Sequence, residues 1–322
     1  MEDPLKTVGS VWENKDVTWD VELSETARHS EMNMPGESMI PKIIHYCWFG
    51  GKEEPESVKK CIASWIKYCP DYEIRKWDES NFQIDSHPYM AEAYRLGKWP
   101  FVSDLARLII VYRYGGVYLD TDVELLKPID EILNHNRFFF GIENLPDPVH
   151  DSRSIHVATG LGFGAEANNS VILALLKTYD NAHFMLPDGT TDLTACPVRN
   201  SNALRPFGFD GRDEMIEFKG GTIYPSEYFC PIEYGTGISH ITRNTVSIHH
   251  YAASWKTKEE IENDEIVYSI YNRYRFLGNK ICRNIAEYVV AFQKKGLIGI
   301  FSTTMSKLTN LPRKLFGLLL RK

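Results

Sequence analysis

The 322-residue chain is 43% hydrophobic and 25% charged, with 43 acidic against 36 basic residues and a net charge of −7. Enough apolar residue is present for a large core, built as one decorated domain or two, and the acidic balance excludes general nucleic-acid binding, which needs a concentrated basic face. Six cysteines, Cys47, Cys61, Cys69, Cys196, Cys230 and Cys282, form no C-x-x-C pair and no tight framework, so reduced thiols in a cytoplasmic setting are expected.

Residues 1–38, with Pro4, Pro35 and Gly36, are weakly patterned and predict a loosely docked extension. Their acidic, polar start has no apolar run of the signal-peptide kind, and no stretch approaches the roughly 20 apolar residues of a membrane-spanning helix. Ile43 to Phe49 predicts a strand. Val58, Cys61, Ile62, Trp65, Ile66 and Cys69 make a helical stripe that Pro70 ends. A second strand over Tyr72 to Trp77 and a helix over His87 to Leu96 complete a β-α-β order, which predicts a mostly parallel sheet flanked by helices, with ligands at the C-terminal ends of its strands.

The segment Ser103 to Asp122 concentrates chemistry. Ser103, following Pro100, reads as an N-cap, and Leu105, Leu108, Ile109 and Tyr112 recur at helical spacing over 104–114. Asp104 and Arg107 then lie one turn apart at the start of that helix. Gly115-Gly116 stops it, Val117-Tyr118-Leu119 reads as a short strand, and Asp120 and Asp122 follow. Residues two apart in an extended chain share a face, so both carboxylates point one way. Hard oxygen ligands of this kind suit Mn²⁺ or Mg²⁺, which keep positions for phosphate oxygens. A D-x-D taken alone is more often a solvated turn, and Asp104 with Arg107 alone would be a surface i,i+3 pair; their joint placement favours a site.

Further on, Phe138 to Glu143 predicts a strand that would bring Glu143 or Asn144 toward a transferred group. Ala158-Thr-Gly-Leu-Gly-Phe-Gly164 is glycine-rich without G-x-G-x-x-G spacing, which fits close backbone packing as well as a phosphate loop. Strand alternation puts His249 and His250 on opposite faces, so one of them at most reaches a given site. After Trp255 the chain reads as helices. Beyond Glu287 acidic residues cease while Lys294, Lys295, Lys307, Arg313, Lys314, Arg321 and Lys322 accumulate among Leu297, Ile298, Phe301, Leu318 and similar residues. That pattern suits an interfacial helix on an anionic membrane surface, and equally a core-packed helix with a solvated basic face.

Three blocks, Ile40-Pro-Lys-Ile-Ile-His-Tyr-Cys-Trp-Phe-Gly-Gly51, Ser103-Asp-x-x-Arg107 and Tyr114-Gly-Gly-x-Tyr-Leu-Asp-x-Asp122, resemble glycosyltransferase family 32, the DXD sugar transferases typified by yeast initiating α-1,6-mannosyltransferases and by bacterial polysaccharide enzymes. The glucosylating domains of large clostridial toxins are similar in the same blocks, and Ile248-His-His-Tyr-Ala-Ala-Ser-Trp255 matches the family's closing motif. The resemblance implies an α/β fold of the GT-A type, a mostly parallel Rossmann-like sheet over residues 39–255, followed by a helical basic region over 256–322. It implies Trp48 stacking on a nucleotide base, Asp104 on sugar hydroxyls, Arg107 on the diphosphate or sugar, Asp120 on ribose or metal, and Asp122 on the metal directly. It further implies His250 completing the metal shell, with His249 as the alternative register, and Ser254 and Trp255 facing phosphates. Asp78-Glu-Ser-Asn81 resembles a stretch that touches the nucleoside. Thr194-Ala-Cys-Pro197 stands where relatives often carry Thr-Gly-Pro, a departure that bears on acceptor contacts.

The implied activity is retaining transfer of a hexose from a UDP- or GDP-sugar, UDP favoured, with Mn²⁺ or Mg²⁺, to an oligosaccharide or lipid-linked saccharide in cell-surface polysaccharide synthesis. The implied location is the cytoplasm, or its membrane face through the basic tail. Two alternatives stand beside it: a toxin-like protein glycosyltransferase and a metal-dependent phosphoesterase.

Overall fold

The computed structural model describes residues 40–147, 152–234, 236–252, 258–274, 282, 284–296 and 298. The chain divides into two compact units. Of the described residues, one takes in those up to Glu143, Ile155–Pro231 and Ile241–His250; the other comprises those of Asn144–Ser154, Ile232–His240 and from Tyr251 onward.

In chain order the elements are β1 (Ile43–Cys47), α1 (Glu56–Tyr68), β2 (Glu73–Trp77), α2 (Pro88–Arg95) and α3 (Trp99–Tyr114), then β3 (Gly116–Tyr118), β4 (Val123–Leu125), α4 (Asp130–His135) and β5 (Phe138–Asp147). After these come β6 (Ser152–Val157), β7 (Phe163–Ala165), α5 (Ser170–Lys177), α6 (Cys196–Leu204), β8 (Ile216–Phe218), β9 (Gly221–Tyr224), α7 (Ser226–Phe229) and β10 (Ser247–His249). The main sheet has the order β2-β1-β3-β7-β5-β9-β8, with β6 on β5. Strands β2, β1 and β3 run parallel, as do β5 and β9; β7 runs against both of its neighbours. Strand β10 pairs antiparallel with β4 in a separate two-stranded sheet. The α/β expectation holds, with its parallel run at the edge that carries the acidic motif.

The helices follow their apolar stripes. On α1 the buried residues are Val58, Cys61 and Trp65, and the Trp65 indole N–H donates to the Val123 carbonyl at 2.8 Å. His87 caps α2, its Nδ1 accepting from the Tyr89 N–H at 3.2 Å. Helix α3 starts earlier than its sequence suggests: Lys98 stands at the cap without a side-chain bond, and Pro100 sits in the first turn, where its missing N–H costs nothing. Ser103 is therefore helical, and Asp104 belongs to the second turn and Arg107 to the third rather than to the first.

A buried histidine ties the parallel strands together. His45 Nε2 lies 2.9 Å from the Gly115 carbonyl, and its Nδ1 accepts from the Trp77 indole at 3.1 Å. Those partners fix a neutral ring with the proton on Nε2, and burial pushes its pKa down to about 4. Gly116 makes the fit possible: its φ is +97°, and a Cβ there would meet the Ile43 carbonyl at 2.8 Å.

The second unit holds α8 (Lys258–Tyr274). Tyr234 packs on Tyr251 and Tyr268 and donates to Asp264, and Ile270, Cys282 and Ala286 are buried together. Lys294 pairs with Glu259 at 2.6 Å; Lys307, Arg313, Lys314, Arg321 and Lys322 lie outside the described residues. Among the described residues no helix is long and apolar enough to cross a membrane. All six cysteines are buried and free.

Candidate functional site

The parallel register sets the site. His45 of β1 lies beside Tyr118 of β3, so the ends of both strands, with Trp48 and Asp120, reach the same sheet edge. Here the chain departs from expectation. Asp120 and Asp122 occupy a turn, the Val123 N–H donating to the Asp120 carbonyl at 3.0 Å, and not an extended strand end. The turn is held from both sides: by Trp65 of α1 at Val123, and by the His250 N–H on the Asp122 carbonyl at 2.9 Å.

Arg107 is the hub, its side chain only 5% exposed. It donates to Asp104 Oδ1 at 2.6 Å, to Asp120 Oδ2 at 3.4 Å and to the Ser103 carbonyl at 3.0 Å, and it lies over the Tyr118 ring at 5.1 Å. The Tyr118 hydroxyl donates to Asp120 Oδ1 at 3.1 Å. Burial opposes the guanidinium charge, but Asp120, Tyr118 and Asp104 outweigh it and hold the pKa above its ordinary value. The carboxylates respond in kind: burial pushes Asp104 up to about 6 against the pull of Arg107, and burial also raises Asp120.

Asp122 faces His249, whose Nε2 lies 3.2 Å from Asp122 Oδ1. Burial alone would lower this imidazole; Asp122 reverses that, with smaller help from Asp120 and Glu143, and its pKa rises. Asp120, Asp122 and His249 each offer a ligand atom, all within 4.8 Å of one another. Two carboxylate oxygens and one imidazole nitrogen form a donor set that fits a divalent ion of the Mn²⁺ or Mg²⁺ class.

His250, which the resemblance selects, is elsewhere: its Nε2 lies 2.8 Å from Glu124 Oε2. The register of β10 on β4 places His249 against Val123 and Ile248 against Glu124, so His249 turns its ring to Asp122 and His250 contributes its backbone. Trp48 is half-buried at the same edge, with its indole N–H on the Lys52 carbonyl at 2.6 Å. Ser254 and Trp255 lie outside the described residues.

Two contributors carry signals that the sequence shows only in outline. Gly160, in the glycine-rich run, accepts the Asp120 N–H at 3.2 Å, and a Cβ there would overlap Asp120 Oδ2. The run is thus a close backbone approach, and no phosphate-loop spacing is needed to explain it. Cys196 starts α6; its sulfur lies 3.3 Å from Thr159 Oγ1 and 3.3 Å from Asn200 Nδ2, and its presence pulls the Asp104 pKa down.

Residues 55–139 match the family described as the glycosyltransferase sugar-binding region containing a DXD motif, a span that includes Asp104, Arg107, Asp120 and Asp122. Over that span the chain is similar to the DXD-motif glycosyltransferases. Over 107 residues, 31% of this chain and 30% of the relative, it is 35% identical to inositol phosphoceramide mannosyltransferase 2 of Schizosaccharomyces pombe. Over 115 residues, 33% of this chain and 30% of the relative, it is 31% identical to the initiation-specific alpha-1,6-mannosyltransferase of Candida albicans. The match thus spans about a third of the length of these curated relatives. The solved PaToxG glycosyltransferase aligns over 52% of this chain and 69% of its own at 17% identity, with a TM-score of 0.35. The α/β fold is carried by the parallel β2-β1-β3 run, which ends at the D-x-D turn.

Proposed function

We propose that this transferase moves a hexose from a nucleotide diphosphate sugar to a saccharide acceptor with retention of configuration and with a divalent ion. The observation that carries the reading is the convergence of Asp120, Asp122 and His249 beside the buried Arg107. Asp120, Asp122 and His249 would hold the ion, which would neutralise charge on the departing diphosphate. Arg107, fixed by two carboxylates, presents a second positive charge that needs no reorganisation, and Asp104 accepts from sugar hydroxyls. No residue is assigned as a covalent nucleophile; a front-face attack, with the leaving phosphate taking the acceptor proton, suits this site. Among the described residues the metal-capable group is single, which favours transfer over two-metal phosphoesterase chemistry.

The relatives' names favour mannose, and the Trp48 block favours a UDP donor. The acceptor is taken to be an oligosaccharide or lipid-linked saccharide at the cytoplasmic membrane face, with capsular or cell-surface polysaccharide as its product. Incubation with labelled UDP- and GDP-hexoses, with and without Mn²⁺, tests the core of this. Metal-dependent label transfer to glycan is expected; donor turnover unaffected by chelator would sink the metal assignment, and transfer only to protein would replace the acceptor. Vesicle sedimentation with anionic lipid tests the membrane location, which equal recovery with and without residues 296–322 would refute.

A further inference from the structure

One arginine of α3 belongs to no ion pair among the described residues. Arg113 is half-buried in the last turn, and burial lowers its pKa with no carboxylate to offset it. It has neither ion pair nor side-chain hydrogen bond among the described residues. It lies six residues beyond Arg107, about 9 Å along the axis and about 120° around it, so it faces away from the D-x-D turn. There it lines a cavity of about 250 Å³ between α3 and the loop that follows β2.

The walls of that cavity are complementary in kind. Trp77, Phe82 and Ile109 supply apolar surface, while Arg113, Gln83 and Ser86 supply polar side chains. Like Arg113, the Gln83 amide and Ser86 hydroxyl make no side-chain hydrogen bond among the described residues. Glu79, the acidic member of the lining, is committed elsewhere: its Oε1 accepts from the Gly50 N–H at 2.6 Å and from the Tyr94 hydroxyl at 3.0 Å. An apolar recess with a few convergent uncommitted donors is the usual form of a small-ligand pocket, and a guanidinium short of an anion selects an oxyanion.

We infer that this cavity is a second ligand site, separate from the D-x-D centre, which takes a small phosphomonoester: the phosphate on Arg113, Gln83 and Ser86, the organic part against Trp77, Phe82 and Ile109. Because Glu79 forms one wall and also holds Gly50 in the turn after Trp48, an occupant would steady the turn that carries Trp48. That gives the site a route to the donor end of the transferase.

Calorimetric titration of the full chain with phenyl phosphate, in chelator so that the D-x-D centre is not engaged, decides the matter. Wild type should bind, and inorganic phosphate should bind more weakly for want of the apolar walls. Arg113→Gln should weaken binding at least about tenfold, the value of one charge-assisted contact, and the exposed Gln83→Ala by roughly threefold. Asp122→Asn should leave it unchanged. Absence of binding to wild type, or equal binding by Arg113→Gln, overturns the inference, as does loss of binding in Asp122→Asn, which would place the ligand at the D-x-D centre.

Discussion

Arg107 and Arg113 stand on one helix and meet opposite treatment. Arg107 is nearly inaccessible and held by Asp104 and Asp120, so its charge is reinforced; Arg113 is half-buried without a counter-charge, and its charge is weakened. Burial of a guanidinium is tolerated when the neighbours complete its hydrogen bonds, and is a standing cost when they do not. The first arrangement is complete among the described residues; the second has no counter-charge there.

The comparison can be attacked at both ends. Asp122→Ala removes a carboxylate from the metal-capable cluster and should lower transfer by about 10³-fold or more, read as product formation across a Mn²⁺ series; a variant of wild-type rate would dissolve the cluster's role. Arg107→Met should cost roughly 3–5 kcal/mol of stability by stranding two buried carboxylates, measured by urea unfolding. A loss under 1 kcal/mol would mean that the pairs are not the support described here.

A third buried cationic side chain, His45, solves the same problem by staying neutral. Its folded pKa lies below its unfolded one, so its stability contribution is whole above pH 6.5 and is lost as pH falls through about 4. That drop corresponds to roughly 3 kcal/mol, and His45→Gln should flatten the acid limb of the unfolding profile between those limits; an unchanged limb would assign the sensitivity to other groups. His249→Ala should weaken Mn²⁺ binding by about 10-fold or more while His250→Ala stays near wild type; the reverse order would restore His250 to the centre. The smallest effect belongs to Arg113→Gln, which breaks no internal pair and should move stability by less than about 0.5 kcal/mol.

Local chemistry made much of this readable. The apolar stripes of α1 and α3, the Gly115-Gly116 stop and the β1 and β2 strands appear at nearly their expected places, because each is fixed by residues within a turn or two. Where the reading slipped, a distant partner decided the outcome. Ser103 resembles a cap until Pro100 is seen to open the helix a turn earlier. The D-x-D looks extended until Trp65 and His250 bend it into a turn. The choice between His249 and His250 depends on the pairing of β10 with β4, across 126 residues of chain between His250 and Glu124, and alternation alone says only that they differ. Gly160 was visible as a glycine but not as the neighbour of Asp120, since close approach leaves no periodic trace.

The length of chain between β4 and β10 also sets a clock. Contacts so far apart in sequence form late, and during synthesis the acidic turn is made long before His249 leaves the ribosome. Until β10 docks, Asp120 and Asp122 lack the imidazole that completes the metal-capable cluster. Any ion held by the three together would therefore bind only after β10 has docked.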